Sequence, residues 1–493
     1  MSDFGSVILI GAGPGDAGLM TVRGAQALKT ADVVLYDRLI SGEILAMIPD
    51  TAIKVDVGKE SGHHSIPQGE INGLLLAYAR EGKRVARLKG GDPYLFGRGA
   101  EEIETLAQAG VPFTVVPGVT SAIAVPSYAG IPVSHRDLSS SVHIITAHRK
   151  NGGPPSLDYE SLIKFGGTYV FLMGLSSLAP VTEGLLAAGM DAKTPSALIE
   201  NGTRQNQRKL VSTLSEISGE AVAEGFLPPS ILIVGEVCSL SETFDWFSRL
   251  PLKGVKILVT RPKAGSALSI SLRELGADVT DFPCIRLDPL PVSGNVFESL
   301  GSHEWIVFTS PAGAEMFFDG LMARNLDIRS LYGVKFAAVG EKTASAIKER
   351  GIRVDFIPEK YSTGELAAGL PEGKSALLFR AEEGAPELAR LLRDRGFSVE
   401  DVSAYKTLRE NSCPEEVKDM LEGGEFDFVT FTSASTVQGF TASLPGFDHS
   451  KLTAVCIGGE TASEARKHGF RILISEKATI DSMIELIREE MKK

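Results

Sequence analysis

The chain has 493 residues, 43% of them apolar and 23% charged, which is ordinary globular composition; a mainly disordered state is excluded, and roughly three domains are expected at about 150 residues each. The formal charge is −12, and residues 1–240 hold 19 Lys+Arg against 24 Asp+Glu, so neither half offers the basic face that nucleic-acid binding by counterion release requires. Cys238, Cys284, Cys413 and Cys456 stand far apart with no C-x-x-C, indicating neither a disulfide framework nor a zinc or iron-sulfur site, in keeping with a reducing cytoplasm.

The opening MSDFGSVILIGAGPGD carries no basic stretch ahead of its apolar run, unlike a signal peptide. No segment approaches the roughly 18 uncharged apolar residues of a membrane span. The expectation is a soluble, cytoplasmic protein with no membrane partner. Short β-branched runs at 7–10, 32–36, 84–88 and 113–116 alternate with helical patterns at 20–30, 68–81 and 98–109, which predicts an α/β fold. Pro117-Gly118 opens a small-residue helix, VTSAIAVPSYAG, after which strands recur at VHIITA, TYVFLM, SALIE and SILIVG. Two lobes are expected, 1–117 and 118–240, followed by a linker at 241–252.

A fresh strand, VKILVT, starts the second half, and its interior repeats. ILVTRPKAG to FPCI (257–285) aligns with LLFRAEEG to VSAY (377–405), superposing Arg261 on Arg380. VFTSPAGAEMF (307–317) matches TFTSASTVQGF (430–440). AAVGEKTASAIKERG (337–351) matches VCIGGETASEARKHG (455–469), with Thr343 on Thr461. The fold is thus α/β throughout, and two copies of one unit imply two similar lobes around a cleft.

GAGPGD (11–16) follows the first strand, but Asp16 stands where a dinucleotide fingerprint needs glycine and Pro14 removes an N–H donor. The motif reads instead as a tight-turning ligand floor at a strand's carboxyl end. In RLKGGDPYLFGRG (87–99), Gly90 and Gly91 let a ligand approach the main chain. Pro93 biases Asp92 toward an extended conformation that aims its carboxylate into the cleft. Arg87, Lys89 and Arg98 offer cations for carboxylates. Either motif by itself is also compatible with a plain turn.

In order and spacing, IGAGPGDAGLMTVRG, ADVVLYDRLIS, VGKESGHHSIPQGEIN, RLKGGDPYLFGRGAEE and VVPGVTSAIAVPSYAGIPVSHR resemble the tetrapyrrole methylase family, the uroporphyrinogen-III C-methyltransferases in particular. The resemblance covers residues 1–240. It implies two lobes with S-adenosylmethionine between them, contacted by Pro14, Gly90, Gly91, Asp92, Leu95, Thr120, Ser121, Met173 and Gly202. Leu95 departs mildly, a β-branched residue being commoner there. It gives Asp37 the role of proton acceptor and Lys59 that of donor, although without the resemblance they read as a strand-end residue and a surface charge. The chemistry implied is attack of a pyrrole carbon on the sulfonium methyl, followed by loss of a proton to a carboxylate. The implied substrate is a cyclic tetrapyrrole bearing carboxylates, for which Arg23, Arg38, Arg87, Lys89, His135 and Arg136 are candidate partners. His63 and His64 lack a carboxylate or thiol at ligand spacing and read as loop residues, so no metal is expected.

The blocks VTRP, FTSPAGAEMF, AAVGEKTA, SAYKT, FTSASTVQGF and CIGGETA resemble, in that order, the uroporphyrinogen-III synthase family. The resemblance implies two flavodoxin-like lobes, 253–287 with 408–493 and an inserted 288–407, joined through short linkers near 286–292 and 405–413. It implies closure of linear hydroxymethylbilane with inversion of the terminal pyrrole, loss of water and no cofactor. Tyr405 matches a tyrosine implicated in helping the hydroxyl leave. Arg261, Thr309, Ser310, Thr432 and Ser433 are substrate-binding candidates; the last four sit at strand ends, where backbone N–H groups can bind carboxylates. Thr-Ser before a helix is, however, first of all an N-cap.

Together the resemblances imply a bifunctional enzyme that forms uroporphyrinogen III and methylates it twice to precorrin-2, for sirohaem or cobalamin synthesis. The alternative is a methyltransferase carrying a catalytically inactive, synthase-like sensor lobe. A homodimer is expected by resemblance.

Overall fold

The computed structural model describes residues 4–58, 66–147, 156–261, 266–384, 386–410 and 412–493. Lys59, His63 and His64 lie outside the described residues. The chain divides into two compact units: Met1–Ile257 with Gly265–Thr280 and Arg488–Lys493, and Leu258–Ala264 with Asp281–Ile487.

In the first unit, β1 (Ser6–Gly11), β2 (Val33–Tyr36), β3 (Ile53–Asp56), β4 (Arg84–Lys89) and β5 (Phe113–Val116) form a sheet of order β3-β2-β4-β1-β5. All its pairs are parallel. Alternate residues enter separate cores: Val7, Leu9, Val33, Leu35 and Val85 pack with the helices Gln68–Arg80 and Gly99–Gln108, while Ile10, Val34, Ala86 and Leu88 pack with the helix Val22–Leu28. Both faces are covered, so each strand reads as an unbroken apolar run. The helix after β1 lies on one face and the helix after β4 on the other. Since β1 and β4 are neighbours, a topological switch point opens between their carboxyl ends, where such sheets bind ligands.

The second lobe of this unit is mixed. β6 (Val142–Thr146), β7 (Thr168–Leu172), β8 (Pro195–Glu200), β9 (Arg208–Thr213) and β10 (Ser230–Val234) have order β6-β7-β10-β8-β9. Only β6 and β7 run parallel; β10 is antiparallel to β7 and β8, and β8 to β9. Residues beyond β10 fold back on this lobe: Trp246 and Phe247 pack on Tyr128, with ring centroids 4.9 and 5.0 Å apart.

The remaining strands are β11 (Lys256–Val259), β12 (Asp278–Asp281), β13 (Ile285–Pro289), β14 (Trp305–Phe308), β15 (Lys335–Ala338), β16 (Ser375–Ala381), β17 (Ser398–Arg409), β18 (Phe428–Phe431), β19 (Thr453–Cys456) and β20 (Arg471–Ile474). One sheet has order β12-β11-β18-β19-β20, which is the flavodoxin-like 2-1-3-4-5 pattern. The other has order β13-β17-β16-β14-β15. The 12-residue β17 is parallel to β16, and its far end, Tyr405–Arg409, pairs antiparallel with β13 as a two-stranded ribbon. The repeat has a structural counterpart in the strand-helix-strand units β14 to β15 and β18 to β19, with Thr343 and Thr461 buried on the helices that follow.

Among the described residues, no helix is long and apolar enough to cross a membrane, and no three or more His, Cys, Asp or Glu side chains gather to hold a metal ion.

Candidate active sites

At the switch point the loops after β1 and β4 are laced together: Gly91 N donates to Gly13 O at 2.7 Å and Gly13 N to Gly91 O at 3.2 Å. The segment after β5 joins them. A Cβ added to Gly118 would stand 2.2 Å from Gly91 O and 2.7 Å from Gly11 Cα, so only glycine permits this approach. Gly91 itself has φ +67° and open space beside it, its nearest such neighbour being Ser121 N at 3.9 Å. The floor is bare main chain.

Asp92 behaves otherwise than the expectation of a carboxylate aimed at a ligand. Its Oδ1 accepts from Tyr94 N (2.8 Å) and Leu95 N (3.1 Å), and its Oδ2 from Gly118 N (3.1 Å). A glycine-rich turn leaves N–H groups without ladder partners, and the short Asp side chain supplies them. Asp92 therefore shapes the loop.

The second lobe contributes the rest. Thr120 caps the helix Ser121–Tyr128 by accepting from Ala122 N at 3.2 Å. Gly202, after β8, lies against that helix, where a Cβ would meet Val125 Cγ1 at 2.3 Å. Leu95 packs in the same apolar cluster as Val125 and Leu172, and Met173 follows β7. Asp16 N donates to Thr203 Oγ1 (3.2 Å), Tyr128 OH to Asp16 Oδ2 (2.6 Å) and Arg204 Nη2 to Leu39 O (2.6 Å). Burial, and then the bond to Asp16, push the Tyr128 hydroxyl well above the usual tyrosine range. Thus the loops bearing Pro14, Gly90, Gly91, Asp92, Thr120, Ser121 and Gly202 form one connected rim. Of the six non-glycine residues with positive φ among those described, Phe96, Arg98, Asn201 and Thr203 lie in the loops of this rim. Backbone strain of this kind persists where surrounding structure imposes it, often at functional sites.

Asp37 follows β2 at the same sheet edge, and its Oδ1 accepts from Arg87 Nη2 at 2.6 Å. Arg87 and Lys89 are not free cations for substrate, which corrects that expectation. They are 2% and 4% exposed and converge on the fully buried Glu102, Arg87 Nε at 3.0 Å and Lys89 Nζ at 2.9 Å from its Oε1. The reason is β4's central position, where a charged side chain is enclosed and needs an internal partner. Desolvation, then the neighbouring Arg87, pull the Lys89 ammonium down, against the attraction of Glu102. Sequence reasoning missed the exposed apolar side chains Leu39, Tyr94 and Phe96. Their only signal is a run of apolar residues on loops where none is needed for a core.

In the C-terminal unit the structure brings two candidates together: Tyr405 OH and Ser310 Oγ are 2.8 Å apart. Burial raises the Tyr405 hydroxyl above the tyrosine norm, the Ser310 bond opposing. Ser310 also caps the helix Pro311–Ala323 through Gly313 N (3.1 Å), and Ser433 caps Ala434–Ser443 through Thr436 N (3.2 Å). Thr309 and Thr432 immediately precede these caps, each just past the end of a strand, the two strands belonging to different sheets. Desolvation pulls the Arg261 guanidinium below its usual value. Its repeat counterpart Arg380 instead grips Asp401 in a bidentate pair, at 2.8 and 2.7 Å.

Residues 6–218 match the family described as Tetrapyrrole (Corrin/Porphyrin) Methylases, and residues 266–485 match Uroporphyrinogen-III synthase HemD. A curated relative from Ruminiclostridium josui, Porphyrin biosynthesis protein HemD, is 47% identical over 495 residues, covering 99% of this chain and 98% of its own. The chain belongs to this family of fused tetrapyrrole methylase and uroporphyrinogen-III synthase. Siroheme synthase of Salmonella typhi is 50% identical to this chain over 244 residues, which are 50% of this chain and 52% of that one. The fused chain thus spans about half the length of the siroheme synthases it matches. A solved Uroporphyrin-III C-methyl transferase from Thermus thermophilus, complexed with S-adenyl homocysteine, is 39% identical and covers 47% of this chain and 93% of its own, with a TM-score of 0.41. Both halves of the fused protein are of enzyme families, a methyltransferase and a uroporphyrinogen-III synthase, and its role is in tetrapyrrole biosynthesis.

Proposed function

We propose that the C-terminal half closes hydroxymethylbilane to uroporphyrinogen III without a cofactor, and that the N-terminal half methylates this product twice with S-adenosylmethionine, giving precorrin-2. The observation that carries the methylase reading is the bare main-chain floor at the switch point, where Gly11, Gly91 and Gly118 touch, with Leu39 of the loop that bears Asp37 set against the adjoining Gly90. Gly90, Gly91, Pro14, Leu95, Ser121, Met173 and Gly202 are the residues to hold the donor, Asp92 and Thr120 fixing the main chain around it. Bound there, S-adenosylmethionine supplies an electrophilic methyl group. Asp37 accepts the proton lost from the methylated ring, with Lys59 as donor. The exposed Leu39, Tyr94 and Phe96 suit the apolar face of a macrocycle, and Arg23, Arg38, His135 and Arg136 its carboxylates.

In the synthase half, Tyr405 stays protonated because it is buried, and with Ser310 it donates to the departing hydroxyl. Arg261 and the main chain at Thr309, Ser310, Thr432 and Ser433 take the substrate carboxylates. Fusing consecutive steps raises the local concentration of a labile intermediate. The match to siroheme synthases supports sirohaem as one destination. A cytoplasmic homodimer belongs to the same proposal.

The test supplies the purified full chain with hydroxymethylbilane, with and without S-adenosylmethionine, resolves the ring isomers and counts added methyls. Type III ring without the donor and a dimethylated product with it are expected. Only type I ring overturns the synthase reading, and methylation of supplied uroporphyrinogen III without ring closure favours the sensor. Absence of methyl transfer overturns the methylase reading.

A further inference from the structure

Four charges stand in a row inside the methylase half: Asp37, Arg87, Glu102 and Lys89. Arg87 is the hub. Its Nη2 reaches Asp37 Oδ1 at 2.6 Å, its Nε Glu102 Oε1 at 3.0 Å and its Nη1 the Leu88 carbonyl at 3.1 Å. Three donors, Arg87 Nε, Lys89 Nζ (2.9 Å) and Gln68 Nε2 (3.2 Å), converge on Oε1 of Glu102, while its buried Oε2 has no hydrogen-bond partner among the described residues. Arg87, Glu102 and Lys89 are almost wholly enclosed, whereas the Asp37 side chain is 30% exposed at the rim.

Such a row is a poor device for stability. Desolvating several charges is expensive, and apolar side chains of similar volume would serve a core as well or better. What it does supply is orientation. Arg87 is rigidly forked, anchored at two points on its own strand and on the helix Gly99–Gln108, with the third arm extended to a carboxylate that otherwise sits on a loop. One oxygen of Asp37 is fixed by that arm, and the other carries no hydrogen bond to a described residue. We infer that Arg87 is a positioning residue for methyl transfer: it holds Asp37 so that its second oxygen meets the proton the substrate gives up, and Glu102 with Lys89 holds Arg87. This rests on the reading of Asp37 as proton acceptor.

Lysine at position 87 keeps the charge but has one head for three partners, so it separates orientation from electrostatics. In the full chain, Arg87→Lys is expected to lower kcat for methylation by about 10- to 100-fold, the scale of a misplacement near 1 Å, with the KM for S-adenosylmethionine little changed. Ring closure by the same molecules and their thermal unfolding report that the variant is folded. The deciding measurement is a double-mutant cycle with Asp37→Asn. If Arg87 acts through Asp37, Arg87→Lys costs nothing further once Asp37→Asn is present. Multiplicative losses overturn the positioning role while leaving Asp37 as acceptor. An Asp37→Asn protein of unaltered turnover overturns both, and wild-type turnover by Arg87→Lys overturns the positioning role alone. Should Arg87→Lys fail to fold, Glu102→Gln tests the same chain of contacts from its far end, with the same expected loss in kcat and the same cycle against Asp37→Asn.

Discussion

Replacing Gly118 by alanine puts a methyl group where three main-chain segments meet. The new Cβ would lie 2.2 Å from Gly91 O, 2.7 Å from Gly11 Cα and 2.8 Å from Gly11 C, against an ordinary contact of 3.4 Å or more. None of these atoms belongs to a side chain that can swing away, so a loop must move by about 1 Å. The backbone conformation of Gly118 is not among those with positive φ, so the effect is steric. Overpacking of this kind costs about 1–3 kcal/mol. For a unit of this size that lowers Tm by roughly 2–12 °C. The same shift moves Gly91 and strains the Gly118 N to Asp92 Oδ2 bond, and a displacement near 1 Å at a reacting centre costs about 100-fold in rate. Methylation of uroporphyrinogen III, donor binding by calorimetry and thermal unfolding are the assays, with ring closure by the synthase half as internal control. Gly73 is the comparison: it is exposed on the helix Gln68–Arg80 with nothing near its Cβ position, so Gly73→Ala gains up to about 1 kcal/mol. If Gly118→Ala binds the donor and unfolds as the wild type does, the glycine contact does not set the geometry of the cofactor loop.

Asp92→Ala strips three backbone N–H groups of their acceptor and is expected to abolish methyl transfer while sparing cyclisation; Asp92→Asn, which keeps an acceptor for Tyr94 and Leu95, is milder, and equal losses in the two would refute the loop-shaping role. Tyr405→Phe removes the bond to Ser310 at a cost of about 1 kcal/mol and slows type III ring formation without touching methylation, as isomer analysis can show. Because burial raises Tyr405, the unfolded chain loses this proton first; its contribution to stability is present below pH 10 and falls as pH rises past that, a slope that Tyr405→Phe removes from a pH series of denaturation curves. Asp32 shows the opposite sign: hydrogen bonds from Arg84 hold it down to about 2 from 3.8, so its contribution is present above 3.8 and lost as pH falls toward 2, and Arg84→Met or high salt should flatten that window.

Much of the architecture was legible because local rules act on short stretches. Apolar β-branched runs bounded by Gly, Pro and Asp became strands, and the repeat that superposes Thr343 on Thr461 became two similar strand-helix units. The glycines of GAGPGD and KGGDP were readable as main chain left bare for a reason. Strand direction was not: TYVFL, SALIE and SILIV are buried on both sides, so nothing in them distinguishes the antiparallel pairs of β7, β10 and β8 from a parallel sheet.

The side chains of the site divide in the same way. Residue types alone marked Gly90 and Gly91 as worth attention, whereas Asp37 and Tyr405 drew it only through the family resemblances. Whether a charge faces ligand or protein depends on partners far along the chain, since Arg87 meets Glu102 15 residues away and Asp37 50 residues away. Local pattern determined the strands, helix caps and glycine turns, because those energies are settled within a few residues. Only the packed structure decided which carboxylate stays exposed at the rim, which is consumed by backbone N–H groups and which is buried, because desolvation and pairing depend on what the fold brings near.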